Sequence, residues 1–225
     1  MPYIPKIIHQ TWKTNNVPIK CKKWIKSWLE KHPDYEYKLW TDHDNRELVK
    51  KYYPNFLKVY DAYSKGVYRA DIARYIIIYH YGGLYVDLDF ECLKNMDELL
   101  NKNTCFFAYE PEEHFKNGKP RICNALFASI KNNPIFIKFL REAFKRSINN
   151  IHKSPVYLTG PDMITDVLNK LKYPNIKIYK SCYFYPICAK NDSTISTSIK
   201  KELTLVKFAY AQHHWMKSWI KNNCC

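Results

Sequence analysis

Glycine is scarce in this chain, with five among 225 residues, so the adjacent pair Gly82-Gly83 is conspicuous. The eight cysteines include no C-x-x-C pair, which argues against a structural zinc site. Their even number does not imply disulfides in a chain of this length with no secretory signal. The opening MPYIPKIIHQTWK is too short and too proline-broken in its apolar part to be a signal peptide. No run approaches the roughly 20 apolar residues of a membrane span. The longest apolar cluster, Tyr75 to Tyr81, is interrupted by His80. These absences predict a cytoplasmic location. No internal repeat, low-complexity block or domain boundary appears, so residues 1–225 read as a single domain, long enough for a sizeable core.

What is present is hydrophobic (46%), moderately charged (25%) and rich in aromatics (16%). The formal net charge is +15. Such a surface attracts anions: sugar nucleotides, anionic membranes or nucleic acid. Most of the lysines read as a solvated surface. On that basis a nucleic-acid partner is not expected, while a peripheral membrane contact fits the charge.

The most informative stretch is residues 66–91, GVYRADIARYIIIYHYGGLYVDLDFE. It reads as a helix, a glycine turn and a strand. Asp71 and Arg74 are three apart and share a helix face. Ala70, Ala73 and Ile77 make a slim apolar stripe. Gly82-Gly83 ends the helix, because glycine takes a left-handed conformation at low steric cost. Leu84-Tyr85-Val86 is of strand type, and Asp87 and Asp89 follow at alternate positions. On a strand the two carboxylates point to one side and Leu88 to the other. Hard oxygens in that arrangement suit a divalent cation such as Mn²⁺ or Mg²⁺ beside a phosphate.

Around this stretch the elements alternate. YIPKIIHQTW holds a first strand, with His9 inside it and Trp12 at its end. Trp24, Ile25, Trp28 and Leu29 form a helical stripe, Tyr35 to Trp40 a second strand, and helices follow over about 43–52 and 54–63. CFFAY at 105–109 and ICNALFASI at 122–130 read as strands, and Pro134 starts an amphipathic helix. Residues 110–120 form a loop. Thr159-Gly160-Pro161-Asp162 opens a helix over 161–171. Short strands are expected at 176–179, 182–188 and 208–211, with a polar loop over 190–202. The order suits an α/β nucleotide-binding sheet with ligands at the carboxyl ends of its strands.

The 66–91 stretch, together with the IPKIIHQ-x-W opening, the Asn124-Ala125 pair and the T-G-P turn, resembles the D-x-D sugar-nucleotide transferases of glycosyltransferase family 32. That family includes initiating mannosyltransferases and alpha-1,4-galactosyltransferases. The stretch is also similar to the glucosylating domain of large clostridial toxins. The resemblance covers most of the chain, from Ile4 to Trp219. It implies a GT-A fold, a Rossmann-like mixed sheet flanked by helices. It implies retaining transfer of a sugar from a UDP- or GDP-linked donor to a hydroxyl of a glycan, protein or lipid. By the same resemblance Asp87, Asp89 and His213 hold the metal, Mn²⁺ ahead of Mg²⁺. Asp71 and Arg74 orient the donor sugar, Trp12 stacks on the base, and Asn124 faces donor or acceptor. Arg69, Tyr85, Gly160 and Asp162 are further substrate contacts, and Ser218-Trp219 closes the site.

Two rivals use the same residues. A D-x-D phosphatase of the haloacid dehalogenase type follows its motif with Thr or Val, where this chain has Phe90-Glu91. A basic module binding nucleic acid or anionic lipid needs its lysines in one stripe, which sequence does not show.

Overall fold

The computed structural model describes residues 3–115, 117–148, 152–171, 173, 175–187 and 206–216. Strand β1 (Ile7–Thr11) forms on the β-branched run, and helix α1 (Ile19–Lys31) on the aromatic stripe. Trp24 and Trp28 are buried, but Leu29 is exposed, so the stripe is narrower than its spacing predicts. Strand β2 (Glu36–Trp40) leads into α2 (Asp42–Tyr52). Thr41 and Asp44 form a reciprocal capping box that supplies partners for otherwise orphaned backbone donors. The single helix expected from Pro54 is instead a 3₁₀ turn, Pro54–Phe56, followed by the short α3 (Leu57–Asp61).

Helix α4 (Gly66–Tyr81) is buried almost all round, with every residue from Asp71 to Ile78 inside. The predicted slim stripe therefore understates it. Helix α2 covers one side, the sheet another and α6 (Pro134–Ile148) a third, so a helix apolar on every face is what this position requires. Gly82 and Gly83 end it with φ of +66° and +100°. A Cβ on Gly83 would lie 2.6 Å from the Ile7 carbonyl oxygen, so only glycine lets the next strand run against β1. His9 locks this junction. Its Nδ1 accepts from Trp40 Nε1 at 3.1 Å, which leaves Nε2–H to donate to the Gly82 carbonyl at 2.9 Å. Burial lowers the His9 pKa to about 3, so the ring is neutral.

The remaining elements are β3 (Gly83–Val86), β4 (Phe90–Cys92), α5 (Asp97–Lys102), β5 (Cys105–Tyr109), β6 (Ile122–Ser129), α7 (Pro155–Leu158), α8 (Pro161–Leu171), β7 (Lys177–Tyr179) and β8 (Ala211–His213). Two expected strands are corrected. Within residues 182–188 the structure has a 3₁₀ turn, Ser181–Tyr183, and no strand among the described residues. The strand expected over 208–211 begins only at Ala211, where β4 offers an edge to pair with. The 190–202 loop lies outside the described residues.

Six strands form a mixed sheet in the order β2-β1-β3-β6-β5-β7, and β4 pairs with β8 in a separate antiparallel ribbon. On one face of the sheet, Tyr75, Phe107, Phe127, Phe136 and Phe139 build an aromatic core with α4, α6 and α8. The other face carries Trp28, Phe90, Phe106 and Phe184. Among the described residues, no helix is long and apolar enough to cross a membrane.

Candidate active site

Strand directions place the chemistry on one edge. β1 and β3 are parallel, β6 is antiparallel to β3, and β5 is antiparallel to β6. The carboxyl ends of β1, β3 and β5 and the start of β6 therefore lie side by side. Trp12 follows β1, Asp87 follows β3, Asn124 sits near the start of β6, and Glu110 follows β5. A cavity of about 1020 Å³ opens along this edge, and all four residues line it. Ligands collect at such edges because loops there converge while the strands stay rigid.

The acidic motif is not on a strand. β3 stops at Val86, and Asp87-Leu88-Asp89 makes a turn that closes with Phe90 N–H donating to the Asp87 carbonyl at 3.1 Å. The turn, rather than strand alternation, brings the carboxylates together. Leu88 still points away, into a small cluster with Val17, Cys21 and Trp24. Ligand atoms of Asp87, Asp89 and His213 all lie within 4.8 Å of one another. His213 arrives on β8, in register with Phe90, and its ring stacks on Phe90 at 4.4 Å. Its Nε2 sits 3.0 Å from Asp89 Oδ1, and its buried Nδ1 has no hydrogen-bond partner among the described residues. Asp89 Oδ2 accepts from the Met216 backbone N–H at 2.9 Å.

The two carboxylates are driven apart in acidity. Burial pushes Asp87 up, against the opposing Arg74 charge. Burial would push Asp89 up too, but His213 and the Met216 N–H outweigh it and hold it down. Asp87 Oδ1 is also bonded by the Tyr85 hydroxyl at 2.8 Å and lies 3.2 Å from Arg74 Nη1.

Deeper in, Asp71 and Arg74 do pair, at 3.2 Å, and both side chains are buried. The pair belongs to a larger network. Asp71 accepts from Asn124 Nδ2 at 2.9 Å and from the Thr159 hydroxyl at 2.7 Å. Arg74 donates to the Asn124 carbonyl at 2.7 Å and lies 4.6 Å over the Tyr85 ring. Burial raises the Asp71 pKa to about 6, with Arg74 and Thr159 pulling the other way. Each charge is satisfied, which is what makes such burial tolerable.

Trp12, Asp71, Arg74, Asp87, Asp89, Asn124 and His213 thus share one cavity. Other expected contacts do not. Arg69 donates to the Tyr63 carbonyl at 2.7 Å and is absent from the cavity wall, because α4 turns it toward the preceding loop. Tyr85 is fully buried and touches the site from behind, through Asp87, Thr11 and Arg74. Gly160 lies behind Asp71: a Cβ there would be 3.4 Å from Asp71 Oδ2. Asp162 faces Arg121 at 3.5 Å. Ser218 and Trp219 lie outside the described residues. Sequence reasoning missed Thr159, which binds Asp71, and Glu110, Arg121 and His114, which line the cavity. The available signal was a glutamate placed directly after the apolar strand CFFAY.

The cavity wall carries five carboxylates against four Lys or Arg side chains, in a chain whose overall charge is +15. Such a wall does not favour a bare diphosphate. The donor set of two carboxylates and one imidazole, with a buried unpartnered imidazole nitrogen, fits a divalent cation that would reverse the local sign.

A mixed sheet with helices on its faces and an acidic turn at the carboxyl ends of its strands is the GT-A glycosyltransferase architecture. The structure of the PaToxG glycosyltransferase superposes with a TM-score of 0.58 at 22% identity, over 77% of this chain and 70% of that one. Residues 18–106 match the family described as the glycosyltransferase sugar-binding region containing the DXD motif. The chain carries a DXD glycosyltransferase domain, which implies a divalent metal cofactor. Inositol phosphoceramide mannosyltransferase 3 of Schizosaccharomyces pombe is 41% identical over 70% of this chain. The match takes in only 43% of that relative, so the chain spans less than half its length. An uncharacterized glycosyltransferase of Acanthamoeba polyphaga mimivirus is 29% identical over 84% of this chain and 76% of its own length.

Proposed function

We propose that the chain transfers mannose from a nucleotide-diphosphate donor to a hydroxyl of a lipid-linked polyol, with Mn²⁺ and with retention of anomeric configuration. The observation that carries this reading is the convergence of Asp87, Asp89 and His213 at one end of the sheet-edge cavity. The mannosyl donor and the inositol-bearing acceptor are suggested by the yeast relative's name.

In this reading Asp87, Asp89 and His213 hold the cation, which supplies positive charge against the leaving diphosphate. Trp12 offers a flat face to the base. Arg74 adds a fixed positive charge next to Asp87, held there by the Asn124 carbonyl. Asp71 and Asn124 present oxygen atoms to the donor sugar from one rigid frame, because Asn124 Nδ2 already donates to Asp71 and to the Tyr75 hydroxyl. Asp71 is tied by Asn124, Thr159 and Arg74 at once, which suits it to orient a ring and not to attack one. Same-face attack by the acceptor hydroxyl is accordingly the route to retention in this proposal.

The test is a thermal-shift and hydrolysis screen of GDP- and UDP-linked sugars with and without Mn²⁺. One mannosyl donor should stabilise the protein only with metal and be slowly hydrolysed, and Asp89→Asn should remove both effects. Metal-independent turnover, or an Asp89→Asn variant equal to wild type, would sink the reading.

A further inference from the structure

Beyond the metal and sugar contacts, the far end of the cavity holds a second polar assembly. Glu110 is 4% exposed, although it lines the cavity. Its Oε2 accepts from Arg121 Nε at 2.9 Å and Nη2 at 2.6 Å, and His114 Nδ1 lies 3.4 Å away. The Glu110 backbone N–H donates to the Arg121 carbonyl at 2.8 Å, so the two residues are fixed by ladder and side chain together. All three side-chain contacts fall on Oε2. Among the described residues none hydrogen-bonds Oε1. A buried carboxylate on a cavity wall, held through one oxygen with the other left unbonded, is a preorganised acceptor for a ligand's donors.

Its place along the edge gives the ligand. Trp12 lies one strand to one side of Asp87. Glu110 lies two strands to the other side, across β6, a distance of about 10 Å from strand spacing. Asn124 stands between. The order along the cavity is base platform, cation site, sugar contacts, then Glu110. The nucleotide takes the Trp12 and cation end of the cavity, so the body of an acceptor whose hydroxyl attacks on the leaving-group face has the Glu110 end left to occupy. Trp215 joins the two ends, with its ring 4.1 Å from His213 and edge-on to His114 at 4.5 Å. Trp215 lines the cavity and offers an apolar face to a ring.

Charge narrows the chemistry further. Arg121 is already balanced by Glu110 and by Asp162 at 3.5 Å. Among the described residues that touch Glu110, the one guanidinium is thus already balanced, so this end favours hydrogen-bond donors over a phosphate.

We infer that Glu110, set by Arg121 and His114, forms the acceptor subsite and takes the hydroxyls of a neutral ring polyol, leaving any phosphate of the acceptor outside. The inference rests on the transferase reading above and specifies its acceptor end.

The test uses the full chain with Mn²⁺, the mannosyl donor, and myo-inositol or methyl α-mannoside as acceptor probe. Glu110→Gln should raise the KM for the probe about tenfold, as expected for loss of a charge-assisted hydrogen bond, with a smaller change in kcat. The metal-dependent thermal shift by donor reports whether the variant is folded. Should that shift be lost, Arg121→Lys decides, because it keeps the charge but not the two-pronged grip on Oε2. A KM rise below about threefold in the deciding variant, or a fall in kcat alone, overturns the inference. So does a wild-type protein that binds donor with metal yet transfers to neither neutral probe. Absence of any metal-dependent donor binding in wild type instead defeats the transferase reading itself.

Discussion

Asp89 Oδ2 accepts a hydrogen bond from the backbone N–H of Met216, 127 residues further along the chain, at 2.9 Å. Its other oxygen meets His213 Nε2 at 3.0 Å. The carboxylate is thus aimed by a backbone donor, in the way outer contacts orient metal ligands. Met216→Pro removes that donor and should weaken Mn²⁺ binding about tenfold by calorimetry, whereas Met216→Ala, which keeps the N–H, should not. Equal affinities for the two variants would refute the orienting role.

Gly83 is the position least able to change. Its φ is +100°, and an added Cβ would stand 2.6 Å from the Ile7 carbonyl oxygen. Gly83→Ala should cost about 3 kcal/mol, combining backbone strain with separation of β1 and β3. For a chain of this size that lowers Tm by roughly 10 °C in calorimetry. A shift of a degree or two would show that the strands part easily.

The His9 ring makes stability depend on acid. Its pKa falls from 6.5 to about 3 on folding, because burial disfavours the charged ring. The unfolded chain therefore binds the proton first, and stability is lost as pH falls from 6.5 toward 3. The effect is on the order of 4 kcal/mol over that window. His9→Gln should lower stability at pH 7 and flatten the slope of denaturant midpoint against pH. An unchanged slope would show that other groups carry the acid response.

Arg74 stands between Asp71 and Asp87 at 3.2 Å from each. Arg74→Met leaves the buried Asp71 and the half-buried Asp87 without their counter-charge and should destabilise by about 3 kcal/mol. Adding Asp71→Asn should return part of that loss, because one of the stranded charges is gone. Strict additivity in the double-mutant cycle would exclude the coupling.

Much of this site could be read before any coordinates. Gly82-Gly83, Asp71 with Arg74, and Asp87 with Asp89 are close in sequence, and local geometry alone brings them near one another. The sheet and α4 followed from alternation, helical spacing and capping residues, and the Trp12 end of the cavity from the family resemblance of the opening. Arg69 sits five residues before Arg74 with the same chemistry, but the helix sets it about 140° round on another face of α4, where it donates to the Tyr63 carbonyl. The rest of what escaped was tertiary. The acidic motif bends because β3 ends at Val86, and nothing in the residue types marks that end. Glu110 and Arg121 are joined across a loop and a strand pair, a contact that no local pattern encodes.

The ribbon of β4 and β8 couples the cation site to synthesis itself. Asp89 and His213 are 124 residues apart, so a nascent chain that has emerged only through β7 lacks the imidazole that meets Asp89. Such a chain has its sheet but not its donor set, which is complete only once the last short strand has zipped onto Phe90. Under the proposed transferase reading, competence would arrive late, with the translation of that distal segment.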